Sequence, residues 1–450
     1  MASNGIARFV FPPGGFPGHG RSPCRGLACG VLPPREMPTL GTLMDPFRGP
    51  EAKVPGERRD ALPATGGNNT VTGEAVSLAS AQLLPEWPNP GGPATNAPGH
   101  LSTGSGAYAY AVPIGKGSAR RSRLVAPPVV HQGYAFAMDA QGNVAAVNLS
   151  NGSRMWSVST KPENERGRAT SGAGLAASGG RVFVATAYGV LKALDISSGA
   201  QIWEAKLSAP ARSAPTVADG KIYVVSATNV VHAINTADGT EAWQFNGIPE
   251  TAGIMAPSSP AVSGDRVIVP YSSGEIIGFG ANDGQPLWSD QLTGQSRFSS
   301  VSGIRDVAAR PVVVGNTVYA VGVGGRLAAV SVKDGERLWG ANVASSSTPA
   351  VSGNSIFVST LDNQLIAIDR DDGSFRWAVK LPKDVTWVGP LLAGNALWLG
   401  SSDGRILRAS PVDGSTISET KIGKAVLIPP IGAAGRVLVL DDSGRLNVFN

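Results

Sequence analysis

The stretch Leu191-Lys192-Ala193-Leu194-Asp195-Ile196-Ser197-Ser198-Gly199-Ala200-Gln201-Ile202-Trp203 sets the pattern for most of the chain. An alternating strand ends in Ala-x-Asp, a turn ends in Gly, and a second strand carries Trp four residues after that Gly. The same order returns in Leu365–Trp377. Turn glycine and tryptophan pair at Gly152/Trp156, Gly199/Trp203, Gly239/Trp243, Gly284/Trp288, Gly335/Trp339 and Gly373/Trp377; Gly414 continues the series with Ser418 in the Trp place. The residue before each glycine is Asn151, Ser198, Asp238, Asp283, Asp334, Asp372 or Asp413. Asn-Gly and Asp-Gly suit tight turns because both residues tolerate positive φ.

Working outward, each unit opens on a proline (Pro128, Pro215, Pro260, Pro311, Pro349, Pro390, Pro430) and continues into a β-branched or aromatic strand such as Ile222-Tyr223-Val224 or Ile356-Phe357-Val358. That makes four short strands in roughly 40–45 residues, the spacing of a propeller blade. The alternating third strand occurs eight times, ending near Asn148, Asp195, Asn235, Gly280, Ser331, Asp369, Ser410 and Asn450. The expected fold is all-β: an eight-bladed β-propeller with four-stranded blades. The chain stops at Asn450, before an eighth turn and Trp strand, so the eighth outer strand must come from elsewhere. Leu83-Leu84-Pro85-Glu86-Trp87 precedes the first blade and is the expected closing strand, with Trp87 in the eighth Trp place. Trp87, Trp156, Trp203, Trp243, Trp288, Trp339 and Trp377 then have a structural role, because an indole buries a large area where blades meet and its N–H can reach a backbone carbonyl. Trp398 falls in a core strand and Trp387 in a loop.

Composition supports this division. Gly (58) and Pro (34) are abundant among the 450 residues, and charged residues are only 16%, which argues against a helical bundle or coiled coil. Residues 1–79 carry 11 Pro and 13 Gly without hydrophobic periodicity, the composition of a disordered leader or tether; residues 80–450 are the expected propeller. The net charge of +5 belongs to residues 1–123, with 12 Lys+Arg against 7 Asp+Glu, while residues 124–450 balance at 26 against 26. No basic stripe with interleaved aromatics appears, so no nucleic-acid partner is expected. Both cysteines, Cys24 and Cys29, lie in the leader, which leaves the propeller without thiol ligands or disulfides. No apolar run reaches the length of a membrane-spanning helix.

Catalytic groups are sparse. The four histidines, His19, His100, His131 and His232, form no ligand pair at close spacing. His232 is expected to face outward or to fill a gap. Gly322-Val323-Gly324-Gly325 joins two strands with no helix or Lys after it, so it lacks the context of a phosphate loop. The aspartates before the turn glycines are turn formers. Neither catalytic residues, nor a cofactor, nor a metal is expected.

The Ala-x-Asp-x-x-x-Gly-x-x-x-Trp repeat resembles that of quinoprotein (PQQ-type) propellers. Two families share it: the PQQ-dependent alcohol and sugar dehydrogenases, and the non-enzymatic outer-membrane assembly lipoproteins of the BamB family. The dehydrogenases carry long insertions, a calcium site and often a vicinal disulfide, whereas these blades are compact and free of Cys. Glu86-Trp87-Pro88-Asn89-Pro90-Gly91-Gly92, followed by Ala97-Pro98-Gly99-His100-Leu101, is similar to the leading segment of BamB proteins. Val54-Pro55-Gly56-Glu57-Arg58-Arg59 resembles the tether before it in some of them.

The BamB resemblance implies a scaffold that binds the periplasmic POTRA domains of the insertase BamA, acts with the other BAM subunits on unfolded outer-membrane proteins, and lies at the periplasmic face of the outer membrane. It also implies contact through two loops leading into the fourth and fifth blades. The first aligns with Ala252–Ala256, where Ile254 keeps an apolar residue and Met255 replaces a basic one. The second aligns with Arg305-Asp306-Val307-Ala308, which keeps one of two aspartates. Exposed apolar loop residues such as Ile254 and Met255 suit a protein contact. A lipid anchor on an N-terminal Cys is implied as well; Gly26-Leu27-Ala28-Cys29 resembles a lipoprotein cleavage box and makes Cys29 the expected anchor, although no apolar core precedes it. The alternatives are a PQQ-dependent dehydrogenase-like quinoprotein and a peptide-binding or sensor propeller using strand addition.

Overall fold

The structure is a computed structural model that describes residues 71–120, 122–163, 165, 172–248, 258–292 and 306–450, all within one compact unit, Ala64–Asn450. Among the described residues there are thirty-two strands, β1 to β32, in eight four-stranded antiparallel sheets. Seven sheets are consecutive meanders, the first being β2 (Val129–His131), β3 (Tyr134–Met138), β4 (Asn143–Asn148) and β5 (Arg154–Ser159). The leading strands of the others are β6 (Gly174–Ser178), β10 (Thr216–Ala218), β14 (Ala261–Ser263), β18 (Val312–Val314), β22 (Ala350–Ser352), β26 (Trp387–Ala393) and β30 (Ile431–Ala433). These approach one another in succession around the axis, β2 against β6, β6 against β10, β10 against β14. The middle strands are buried on both faces, as in β3 and β4, because blades stack face to face. Such strands read as continuous apolar runs. Outer strands such as β5 alternate between exposed and half-buried.

The cross-strand register explains the repeat. Each Trp stands opposite a small residue of the third strand: Ala146 faces Trp156, Ala193 faces Trp203, Ala233 faces Trp243, Gly278 faces Trp288, Ala329 faces Trp339 and Ala367 faces Trp377. A bulge follows at once in every case. The indole lies across the small residue and extends to the next blade, where its Nε1 donates to the carbonyl of Ile196, Thr236, Ala281, Val332, Arg370 or Pro411 at 2.9–3.1 Å. The turn glycine of that next blade packs on the same indole. At Gly239 φ is +76° and a Cβ would stand 2.7 Å from Trp203. Glycine is needed there twice, for backbone conformation and for room.

Closure differs from the sequence expectation. The eighth sheet is β30, β31 (Arg436–Asp441), β32 (Arg445–Phe449) and β1 (Tyr108–Pro113), so Tyr108–Pro113 closes the ring and Leu83–Trp87 does not. Tyr110 holds the Trp place: it sits opposite Val448 beside the same bulge, its hydroxyl donates to Leu149 O at 2.6 Å, and Gly152 packs on its ring. A phenol supplies the donor that an indole supplies elsewhere. The blade with Ser418 in the Trp place exchanges bulk across the same strand pair. Arg408 stands opposite Ser418, lays its guanidinium 4.9 Å over the Trp398 ring, and meets Gly106. Trp398 is in a core strand, as expected, but Trp387 opens β26 and is buried instead of lying in a loop.

The boundary at residue 79 also shifts. Residues 71–79 are laid against the blade of β22: Thr72 N donates to Phe375 O, Asn354 Oδ1 accepts from Ser77 N, and Ser352 Oγ accepts from Ala79 N. Cys24, Cys29 and the rest of residues 1–70 lie outside the described residues.

Candidate functional site

Of the predicted contact residues, Ile254, Met255 and Arg305 lie outside the described residues. Asp306 is placed, and not at the surface. It has no exposed area and pairs with buried Arg212, whose Nη1 is 3.3 Å from Asp306 Oδ1 and whose Nη2 donates to Pro270 O at 2.8 Å. Burial pushes the Arg212 guanidinium below its ordinary range, against the pull of the Asp306 carboxylate. Arg212 precedes the third blade, Pro270 belongs to the fourth and Asp306 precedes the fifth, so the pair fastens three blades. In this chain Asp306 is thus a buried partner of an ion pair and not an exposed loop acid.

Trp87 lies inside the ring. Its segment is threaded along the leading strands: Trp87 pairs with Val130 of β2, Pro88 O accepts from Ala177 N of β6, and Asn89 Oδ1 accepts from Val217 N of β10. Farther on, Ala94 O accepts from Val262 N, Thr95 O from Val313 N, and Leu101 N donates to Leu392 O. Asn96 Nδ2 reaches Pro311 O at 3.0 Å and Pro260 O at 3.3 Å. Glu86 holds His131 at 2.6 Å; His100 donates from Nδ1 to Ala79 O and accepts Asn395 N at Nε2. The segment similar to the leading segment of BamB proteins thus serves as an internal plug bound to six blades. Its Pro and Gly content suits a chain that must turn repeatedly within a ring.

Beside the plug is a cavity lined by Trp87 and Asn96 from the plug, by Arg310 and Thr348 from the chain before two leading strands, and by Pro390 within β26. Arg310 is 6% exposed, and none of the described Asp or Glu residues pairs with it. Its backbone N–H and its Nη1 share the Thr348 hydroxyl at 3.2 and 3.4 Å, while Nε has no acceptor. Burial pushes its pKa down to about 10.

A second polar group escaped the sequence. Ser208 Oγ is 3.0 Å from His232 Nε2, and His232 Nδ1 is 2.6 Å from Glu241 Oε1. The order is that of a hydrolytic triad. The Ser208 backbone N–H also points at Nε2, at 3.3 Å, so the nitrogen that would take the serine proton already holds an amide. The group clips the chain after β9 (Gln201–Lys206) to β12 (Val230–Asn235) and β13 (Glu241–Asn246). His232 is buried and bonded on both nitrogens, filling a gap instead of facing out. The aspartates before the turn glycines behave as turn formers, Asp238 accepting from Thr240 N, Asp372 from Ser374 N and Asp413 from Ser415 N; Asp195, at the end of its strand, accepts from Ser197 and Ser198 and is held down at about 2. Among the described residues, no group of three or more His, Cys, Asp or Glu is placed to hold a metal ion.

Blade count, the wedge of Gly on indole and the compact turns define a propeller of the quinoprotein repeat type. The sequence profile of the family described as outer membrane protein assembly factor BamB matches residues 140–379, and the chain belongs to that family. The BamB of Salmonella typhimurium LT2 is 35% identical over 221 residues, 48% of this chain and 56% of that protein. The BamB of Moranella endobia is 26% identical over 328 residues, 72% of this chain and 84% of that protein. Among solved structures, BamB from Moraxella catarrhalis superposes with a TM-score of 0.65 at 19% identity, covering 76% of this chain and 99% of that one. The quinohemoprotein alcohol dehydrogenase of Comamonas testosteroni gives 0.67 at 14% identity, covering 82% and 81%. An assembly factor and a dehydrogenase fit equally well, so these two likenesses speak to the fold alone.

Proposed function

We propose that this protein is a non-catalytic scaffold of the outer-membrane β-barrel assembly machinery, at the periplasmic face of the outer membrane, binding the POTRA domains of BamA. The family match over residues 140–379 carries this reading. The architecture is consistent with it. The ring is closed by hydrogen bonds between distant parts of the chain, its interior holds the chain's own residues 87–101, and the buried Arg212–Asp306 pair braces the bases of the fourth and fifth blades. The contact residues proposed are Ile254, Met255 and Arg305, with Asp306 as their support. Deleting the gene in its host tests the role. Folded outer-membrane barrels should fall and return with the wild-type gene but not with Ile254→Asp. Unchanged barrel levels in the deletion strain would remove the proposal.

A further inference from the structure

The cavity beside the plug holds a cation that none of the described Asp or Glu residues pairs with. Among the described residues the other buried guanidinium groups are paired, Arg212 with Asp306 and Arg376 with Asp369, as expected where charge leaves water. Arg310 is the exception. It lines the space from the start of the fifth blade, shares only the Thr348 hydroxyl, and keeps N–H groups free to donate. The Thr348 oxygen accepts from Arg310 twice, so its own proton is also free. No described acidic residue lines the cavity; the facing walls are apolar, from Trp87, Pro127, Pro349, Pro390, Leu391 and Ile431. Small-molecule sites share this composition, mostly apolar walls with a few converging polar groups.

We propose that this cavity binds a small organic carboxylate. The carboxylate accepts from the Arg310 guanidinium and the Thr348 hydroxyl, and the apolar body lies against Trp87 and the proline rings. The site depends on neither the expected partner loops nor the scaffold role, because the groups invoked lie on the plug, on the chain before the leading strands and on the leading strands themselves.

Titration calorimetry on the full chain with benzoate, benzyl alcohol and inorganic phosphate tests it. Benzoate should saturate at one site in the millimolar range. Benzyl alcohol, lacking the charge, and phosphate, lacking the apolar body, should each bind at least about tenfold more weakly, the factor set by one charge-assisted hydrogen bond or a few buried methylenes. Arg310→Met should weaken benzoate by about tenfold or more, and Thr348→Val by a few-fold. If Arg310→Met fails to fold, Thr348→Val and the three-ligand comparison in the wild type still decide. Equal affinity for benzoate and benzyl alcohol, equal affinity for benzoate and phosphate, or no saturation within the solubility of benzoate would each overturn the site, as would a folded Arg310→Met that binds benzoate like the wild type.

Discussion

Replacing Asp306 by alanine should damage the fold. The carboxylate is fully buried and is the described counter-ion of Arg212, itself buried and tied to Pro270 O. Removing one partner of such a pair leaves an uncompensated buried charge and costs about 3–5 kcal/mol. With an unfolding entropy of about 2.1 cal/mol/K per residue, the roughly 380 residues from Val71 to Asn450 give about 0.8 kcal/mol/K. Asp306→Ala should then lower the melting temperature by roughly 4–6 °C. Arg212→Met with Asp306→Leu removes both charges and should recover most of the loss, since apolar replacement of a buried pair is often close to neutral. Melting followed by calorimetry on the wild type, Asp306→Ala, the singles Arg212→Met and Asp306→Leu, and the double variant reads this. An Asp306→Ala melting point within about 1 °C of the wild type, or a double variant as damaged as the sum of the singles, would refute the bracing role.

Four other outcomes follow from the same structure. Tyr110→Phe should cost about 1 kcal/mol in chemical denaturation by losing the bond to Leu149 O, while Tyr110→Trp should retain stability; equal stability of the Phe variant would count against Tyr110 as the substitute for Trp. Arg408→Ala with Ser418→Trp restores the small-opposite-Trp pairing of the other blades, so the double variant should be more stable than the sum of its singles by about 1 kcal/mol or more, and additive melting shifts would contradict this. Gly239→Ala should destabilise by more than about 1 kcal/mol, since positive φ and a 2.7 Å contact with Trp203 act together; a neutral result in urea denaturation would negate the wedge. Asp195 is ordinarily at 3.8 and is held at about 2 by the hydroxyls and amides of Ser197 and Ser198. Its folded-state pKa is lowered, so its contribution is present above about pH 4 and lost as pH falls toward about 2. Melting between those limits should be less pH-dependent in Asp195→Asn than in the wild type.

The blades were legible because their determinants are local and repeated. Gly at positive φ, a small residue and an indole recur at fixed offsets, and each makes the same contacts. The closing strand was not legible, because it follows function at the atomic level and not residue identity. A phenol hydroxyl donates to Leu149 O as an indole N–H would, so a pattern defined by Trp points to Trp87 and not to Tyr110. Trp87 itself, with the prolines and glycines after it, marked an important segment, but only long-range bonds to Val130, Ala177 and Val217 reveal a plug. Asp306 looked like an exposed loop acid because its partner, Arg212, is 94 residues away. The Ser208–His232–Glu241 clip and the lone Arg310 were hidden for the same reason, since neither has a sequence neighbour that signals it. Pro and Gly content alone also placed residues 71–79 in the leader, although their backbone is bonded to Phe375, Ser352 and Asn354.

The scaffold role is tested most directly by calorimetric titration of the purified full chain with the POTRA domains of BamA. The wild type should bind at micromolar concentration or below, and Ile254→Asp should weaken binding by about tenfold or more, as expected for charging an apolar anchor at an interface, while its melting point stays that of the wild type. Absence of binding by the wild type at micromolar protein, or undiminished binding by a folded Ile254→Asp, would contradict the role proposed here.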